Sequence, residues 1–314
     1  MVPAKCILLV RCTDDSQFAG AAVTGGVLLA LLASVSWGAS DFLGGFTSRT
    51  SPLPVVLAGS QLAGLLLFAP ILALHGVPMP DDTRLLYGLA AGVFAVAELG
   101  LIYAALRRGP VVVMAPIAAL GACLPVVVGI AGGDQVDLVI AIGLVSALAG
   151  SVGASWAPSD SRPAREALGT AALAAGAAIG AGTILLLIDA SSKADAWWTI
   201  AAVRGGAIAV ALPLLGAYAL TRPGRAFLAG DLRRLTLAAA ATIAAVGICD
   251  VAADTAYANA TRSGALSVVA VLASLYPVTT IALGSLVLRE RPLPIQLAGA
   301  ALACLGIALL SAGA

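Results

Sequence analysis

Residues 60–70 read SQLAGLLLFAP and residues 203–213 read VRGGAIAVALP. Laid over one another without gaps, they superpose Pro70 on Pro213 and Gln61 on Arg204, 143 residues apart. Further on, GPVVVMAPIAALGACLPVVVG (109–129) overlies GALSVVAVLASLYPVTTIALG (264–284) through Gly109/Gly264, Val113/Val268, Ala115/Ala270, Ala118/Ala273, Leu120/Leu275 and Gly129/Gly284. A duplicated unit produces such pairs. If each copy holds an odd number of membrane spans, the two must lie in opposite orientation, about a pseudo-two-fold axis in the membrane plane. A site then falls near the midplane, between the halves.

The text around these stretches is apolar enough for that reading. The chain has 314 residues, a mean hydropathy of +1.04, 61% hydrophobic residues and 11% charged, against about one quarter charged in soluble domains. An ordinary soluble globule is excluded. Runs of about 20 apolar residues, the length that crosses a bilayer as a helix, fall at roughly 22–46, 53–74, 84–106, 109–131, 138–157, 166–188, 197–220, 235–258, 264–288 and 293–312. Lipid offers no partner to backbone N–H and C=O groups, and the runs are too long and too evenly apolar for barrel strands, so they are helices. The expected fold is an all-α integral membrane bundle of ten transmembrane helices, with repeats at 23–157 and 166–314 joined by a loop at 158–165.

Residues 1–22 stand apart. Their apolar core, ILLV, is too short for a secretory signal, and Arg11 before Cys12 argues against lipidation. The expectation is a disordered tail, or translation that begins near Val23. The 17 basic residues form no stripe, which excludes nucleic acid as a partner. Five cysteines without a C-x-x-C pair support neither a disulfide framework nor a zinc site. The single histidine, His75, is read as a loop residue without a metal or catalytic partner. The G-x-x-x-x-G-K-[ST] phosphate loop is missing from the sequence, and no cofactor is implied. Basic residues divide unevenly between the loops. The side carrying the termini holds Lys5, Arg11, Arg84, Lys193 and Arg262, and the other side eleven, so the charge count places the termini outside.

Charges inside spans cost about 2.5–3.5 kcal/mol each near the centre, and five stand out: Asp41, Glu98, Arg204, Asp250 and Asp254. Helical spacing puts Gly247, Asp250, Asp254, Tyr257 and Thr261 on one stripe of the eighth span. Ser34, Trp37, Asp41 and Gly44 form one stripe of the first. Both stripes must face protein or water. Arg204 is expected to pair with Glu98 or Asp250, and one guanidinium against four carboxylates leaves an acidic excess that a proton or a solute must meet. Asp250 is expected to lie deeper than Asp254, with Asp254 nearer water. Gln61, as the repeat counterpart of Arg204, joins the candidate site. Trp156, Trp197 and Trp198 are read as interfacial anchors, Gly176 and Gly180 as a close-packing pair, and Pro70 and Pro213 as matched bends.

The segments LLALLASVSWGASDFLGGFTSR, VMAPIAALGACLP and VVAVLASLYPVTTIALGSLVLRERPLPIQLAGAALACLGIALL, in this five-plus-five layout, resemble the EamA family of the drug/metabolite transporter superfamily over residues 24–312. The resemblance implies ten helices of inverted repeats around a cavity lined by spans 1, 3, 4, 6, 8 and 9. It also implies alternating access, often in export of amino acids or other small metabolites, and cytoplasmic termini, against the charge count. In the first half Gln135 stands where the second has Glu290, a departure from the pattern. The expected function is a multi-pass secondary transporter of the cell membrane. It moves a small polar or amphipathic solute, with a proton as candidate coupling ion and Asp41, Glu98, Arg204, Asp250, Asp254, Trp37, Gln61 and Tyr257 at the site. A small-cation or multidrug exporter is the alternative within that class. A lipid-modifying membrane enzyme using Asp250 and Asp254 is the alternative outside it.

Overall fold

A computed structural model describes residues 4–48, 50–108, 120–154, 164–227, 237–287 and 293–313. Regular structure among them is helical: α1 (Ala4–Thr47), α2 (Leu53–His75), α3 (Leu85–Arg108), α4 (Cys123–Ala131, after a 3-10 turn at Leu120–Ala122), α5 (Leu138–Ala154), α6 (Ala164–Ser192), α7 (Ala196–Leu220), α8 (Leu237–Ala260), α9 (Leu266–Ala273), α10 (Tyr276–Val287) and α11 (Pro294–Gly313), with one further turn at Arg222–Ala226. Six stretches are long and apolar enough to cross a membrane: Gly25–Thr47, Leu53–His75, Ala175–Ser192, Ala196–Leu220, Leu237–Ala260 and Leu266–Gly284. Shorter apolar helices at Leu85–Leu101, Leu138–Gly153 and Pro294–Leu310 coincide with three more expected spans. The first part of the remaining one, 109–119, lies outside the described residues. The architecture is thus an all-α membrane fold with six full-length candidate spans among the described residues.

Two boundaries differ from expectation. Helix α1 starts at Ala4, over the stretch read as a tail, because no proline interrupts the sequence between Ala4 and Ser51. Only from Gly25 onward is it apolar enough to span. Helix α6 continues to Ser192, past the limit drawn at 188, and carries Asp189 into the bundle.

The helix ends follow local chemistry. Pro52 and Pro54 precede and open α2, and Gly76 closes it in the left-handed region at φ 69° with its N–H on the Leu72 carbonyl. Asp195 caps α7, its side chain accepting from Trp198 N at 2.9 Å. A 3-10 turn at Leu120–Ala122 leads into α4 and a break at Ser274–Leu275 leads into α10; overlaid at an offset of 155, Leu120 falls on Leu275.

Most packing runs across the two copies. Helix α1 packs on α8, α9 and α10, while α6 packs on α3, α4 and the 3-10 turn; α2 meets α7 and α8, α3 meets α7, α4 meets α9, and α5 meets α11. Small residues set the closest crossings, and they come in matched pairs. A methyl group on Gly92 would strike the Val203 carbonyl, and one on Gly247 the Ser60 carbonyl. One on Gly38 would strike Thr279 and the Tyr276 carbonyl, and one on Gly182 would strike Leu124 and the Gly121 carbonyl. Gly150 faces Ala303 as Gly306 faces Ala147. The same crossings therefore occur twice, related by the pseudo-two-fold.

Candidate functional site

Arg204 stands in the middle of α7 and Gln61 at its counterpart in α2. The small residues Gly205 and Gly206 follow Arg204, and Gly206 lies against the Leu89 carbonyl of α3. Arg204 Nη1 donates to Gln61 Oε1 at 2.6 Å. Two residues related by a two-fold can touch in this way only beside its axis, so the pair marks where the axis passes.

The guanidinium is also the hub of an ionic network. Nη1 donates to Asp250 Oδ2 at 2.7 Å, and Nη2 donates to Asp254 Oδ2. Gln61 Nε2 approaches Asp250 Oδ2 at 3.4 Å, and Trp37 Nε1 donates to Asp254 Oδ1 at 3.2 Å. The Trp37 ring lies 5.6 Å from that of Tyr257, which is fully buried. Helical periodicity explains the gathering: Asp250, Asp254 and Tyr257 share one stripe of α8, and that stripe faces α1 and α7. Arg204 is 2% exposed, so leaving its charge unpaired would be costly, and the two carboxylates and the amide oxygen offset that cost together.

Of the two partners expected for Arg204, the structure shows Asp250, and it corrects the expected order of depth. The partners of Arg204 are Asp250 and Asp254, and Glu98 is not among them. The order of depth is reversed: Asp254 is 4% exposed, whereas Asp250 keeps 24% of its side chain accessible. Distance along the helix misled, because Trp37 of α1 covers Asp254 and leaves Asp250 uncovered.

Asp41 and Glu98 complete the acidic face. Asp41 is exposed and Glu98 half-buried. Glu98 lies within electrostatic range of Asp41 and of Asp250, and Asp41 within range of Asp250, so the three carboxylates form one group. Tyr276, the first residue of α10 after the break, lies within range of Asp41 and Glu98. The sequence reading missed it, although its place beside Pro277 at a helix break was a usable signal. Gly180 of α6 leaves room for Glu98: a methyl group there would meet Glu98 Cβ at 3.4 Å. Asp41, Glu98 and Asp250 thus form an acidic group beside a buried layer of Arg204, Asp254 and Tyr257, with Trp37 packed against it.

Beyond that layer the bundle is tied together at the face where α2, α4, α6 and α8 end. Ser191 and Thr199 hydroxyls meet at 2.9 Å, Ser192 and Thr261 at 3.4 Å, and Arg262 Nη1 donates to the Ser192 carbonyl. Trp198 Nε1 donates to the Val77 carbonyl at 3.0 Å, and Trp197 packs between Phe68 and His75. The two tryptophans read as lipid anchors therefore hold the α2–α3 loop, and His75 ends α2 with its ring 4.3 Å from that of Trp197. Asp134, next to Gln135, accepts from Ser267 N at 2.8 Å at the start of α9. Asp189, 5% exposed, is held by Lys193 at 2.9 Å. Trp156 and Glu290 lie outside the described residues.

A duplicated, interleaved membrane bundle with a charged, partly accessible site at its axis is the build of a solute carrier. The comparisons agree. The sequence model described as the EamA-like transporter family matches residues 24–156 and again residues 168–312. The chain belongs to that family, and it is a membrane transporter of the drug/metabolite type. A solved structure described only as "Crystal structure of protein" superposes with a TM-score of 0.72 at 17% identity, over 90% of this chain and 95% of the other, and shows a shared fold. A search of curated protein sequences returns no match.

Proposed function

We propose that the protein is a secondary transporter of the cell membrane that carries a small polar or amphipathic metabolite outward by alternating access through ten spans, with a proton as the coupling ion. The observation that supports this reading is the imbalance at the axis. One guanidinium, already bound by Asp250 and Asp254, stands against four carboxylates, since Asp41 and Glu98 lie within electrostatic range of Asp250. Like charges gathered there favour binding of a proton or of a cationic group and favour its release when the surroundings change. Asp250 suits the coupling role because it touches both sides of the arrangement: one oxygen is held by Arg204, and part of its surface remains accessible.

The acidic excess also favours a second reading, a cationic solute such as an organic amine. The lipid-enzyme alternative loses its basis, because Asp250 and Asp254 are both engaged by Arg204 and are not a free carboxylate pair for a divalent metal.

Reconstituted protein tests the proposal. Proteoliposomes loaded with an amino-acid mixture or with organic amines are assayed for countertransport, with and without an imposed pH gradient. The expected result is exchange of one class, accelerated by the gradient in the parent and not in Asp250→Asn. An Asp250→Asn variant with the parent's full gradient response would overturn the proton role; no exchange of either class would overturn the solute assignment.

A further inference from the structure

The ties at the face where α4, α6 and α8 end are of two kinds. Arg262 of the α8–α9 turn donates to the Ser192 carbonyl, and the Thr261 and Ser192 hydroxyls meet at 3.4 Å. Both contacts stay within the second copy, so the turn and the end of α6 form one unit. Asp134 belongs to the first copy, in the loop between α4 and α5, and its Oδ2 accepts from Ser267 N, in α9 of the second, at 2.8 Å. Trp198 Nε1, on the Val77 carbonyl, also crosses between the copies, but it holds the start of α7.

The Asp134 contact is built from both sides. On the first copy, Gly133 takes φ 105°, which glycine adopts without strain, and Asp134 N bonds the Gly129 carbonyl at 3.0 Å. The carboxylate is thereby folded back over α4, where a methyl group on Gly129 would strike both Asp134 Oδ2 and Ser267 N. On the second copy, Ala265 precedes α9 and offers no side-chain cap, so the first N–H groups of the helix need an acceptor from outside. A carboxylate at that end also meets the positive pole of the helix. The Ser267 hydroxyl takes no part, being buried without a hydrogen-bond partner. Helix α9 carries the contact inward: Ser267 to Ala273 are all buried, and the helix packs on α1, α4 and α5 of the first copy. Over about 12 Å, at about 1.5 Å per residue, it leads to the break at Ser274–Leu275 and to Tyr276, which lies within electrostatic range of Asp41 and Glu98.

We propose that Asp134 is a state-dependent latch between the two copies: its carboxylate caps α9 across the seam and releases it when the copies part at this face. A bond between copies cannot survive their separation, whereas the Arg262 and Thr261 contacts can, because they move with the second copy. The latch rests on the alternating-access reading above, but its test needs no solute, so either can fail while the other stands.

Spin labels at Leu138→Cys, the first residue of α5, and Ser263→Cys, in the α8–α9 turn, read the separation of the copies in a background free of the five native cysteines. Both sites are exposed, and neither lies in the loop that carries Asp134. Amide hydrogen exchange at Ser267 reads the bond itself. Asp134→Ala is expected to raise the ratio of the longer to the shorter label distance about tenfold, the change that goes with one charge-assisted hydrogen bond. Exchange at Ser267 should quicken by a similar factor. Asp134→Asn keeps an acceptor without the charge, so its shift should be smaller and in the same direction; it serves if the alanine variant does not fold. Ser267→Ala removes only the unpartnered hydroxyl and should leave the label distances as in the parent. Faster exchange with unchanged distances would make Asp134 a static cap and overturn the proposal, as would no change in either reading. A shift from Ser267→Ala as large as that from Asp134→Ala would overturn it too, by placing the contact in packing and not in the carboxylate.

Discussion

The two copies of the repeat are alike where backbones cross and unlike where charge is carried. Gly38 beside Tyr276 and Thr279 corresponds to Gly182 beside Gly121 and Leu124, and Gly92 against Val203 corresponds to Gly247 against Ser60. At the same offsets, Arg204 faces Gln61, Asp41 corresponds to Leu185, Asp250 to Ala95, Asp254 to Leu99 and Trp37 to Ala181. A crossing occurs twice, so its steric limit binds both copies. The site lies beside the axis and occurs once, so its charges need to be supplied once. Retaining charge in both copies would place two guanidiniums against each other, a repulsion that a low-dielectric interior does not screen.

The strongest way to break this comparison is to exchange the pair on the axis. Arg204→Gln leaves Asp250 and Asp254 without their cation and should lower stability by about 3–5 kcal/mol, the cost of breaking a buried ion pair on one side. Gln61→Leu removes hydrogen bonds to Arg204 and Asp250 but leaves both ion pairs in place, and should cost less. Melting temperature and folded yield in detergent check both, and adding Asp254→Asn to Arg204→Gln should restore part of the loss. Equal losses from the two single variants would mean that the charge is not what distinguishes the copies.

The crossings come next. Gly92→Ala and Gly247→Ala each press a methyl group onto a carbonyl of the partner helix and should cost about 1–3 kcal/mol apiece, the range for overpacking. The two melting temperatures should fall together. A large loss from one and none from the other would break the symmetry of the frame.

Trp37→Phe sharpens the contrast on a smaller scale. It keeps the aromatic neighbour of Tyr257 and removes the indole donor to Asp254, worth about 1.5–3 kcal/mol as a bond to a charged group. Ala181→Trp, at the counterpart in α6, brings an indole to a copy with no carboxylate to receive it and should not compensate. The thermal stability of the single and double variants measures this.

The smallest effect belongs at the surface. Hydrogen bonds from Arg84 hold the Asp82 carboxyl below the ordinary carboxylate range, so whatever this pair adds is present above the unfolded value and is lost as pH falls through the folded one. The pair is exposed and lies in the α2–α3 loop, away from the axis. Asp82→Asn should leave the acid melting profile of the parent unchanged within error.

Against these contrasts, the legible and illegible parts of the sequence separate on physical grounds. The apolar runs and the 143-residue register between Gln61 and Arg204 were readable, because a bilayer imposes length and composition directly and because helical repeats keep spacing. The register matches the packing: Ser60 and Val203, 143 residues apart, present their carbonyls to the matched glycines Gly247 and Gly92. The stripe from Gly247 to Thr261 was readable too, since a period of 3.6 fixes which side chains share a face. Asp189 was missed because a helix end can run several residues past the last clearly apolar position. Tyr276 was missed because its importance comes from what stands opposite it.

By itself, then, the sequence determined that this chain lies in a membrane as helices, that it is a duplicated unit of the EamA-like kind, and which polar side chains cannot face lipid. Those are properties of single helices against a uniform solvent. Tertiary structure alone decided that Arg204 takes Asp250 and Asp254 rather than Glu98, that Asp254 is covered while Asp250 stays accessible, and that Arg262 ties the end of α8 to the end of α6. Each of these depends on a side chain from another helix, Trp37 over Asp254 or Arg262 over Ser192, and the burial of a charge is set by the helices packed around it and not by its depth along its own.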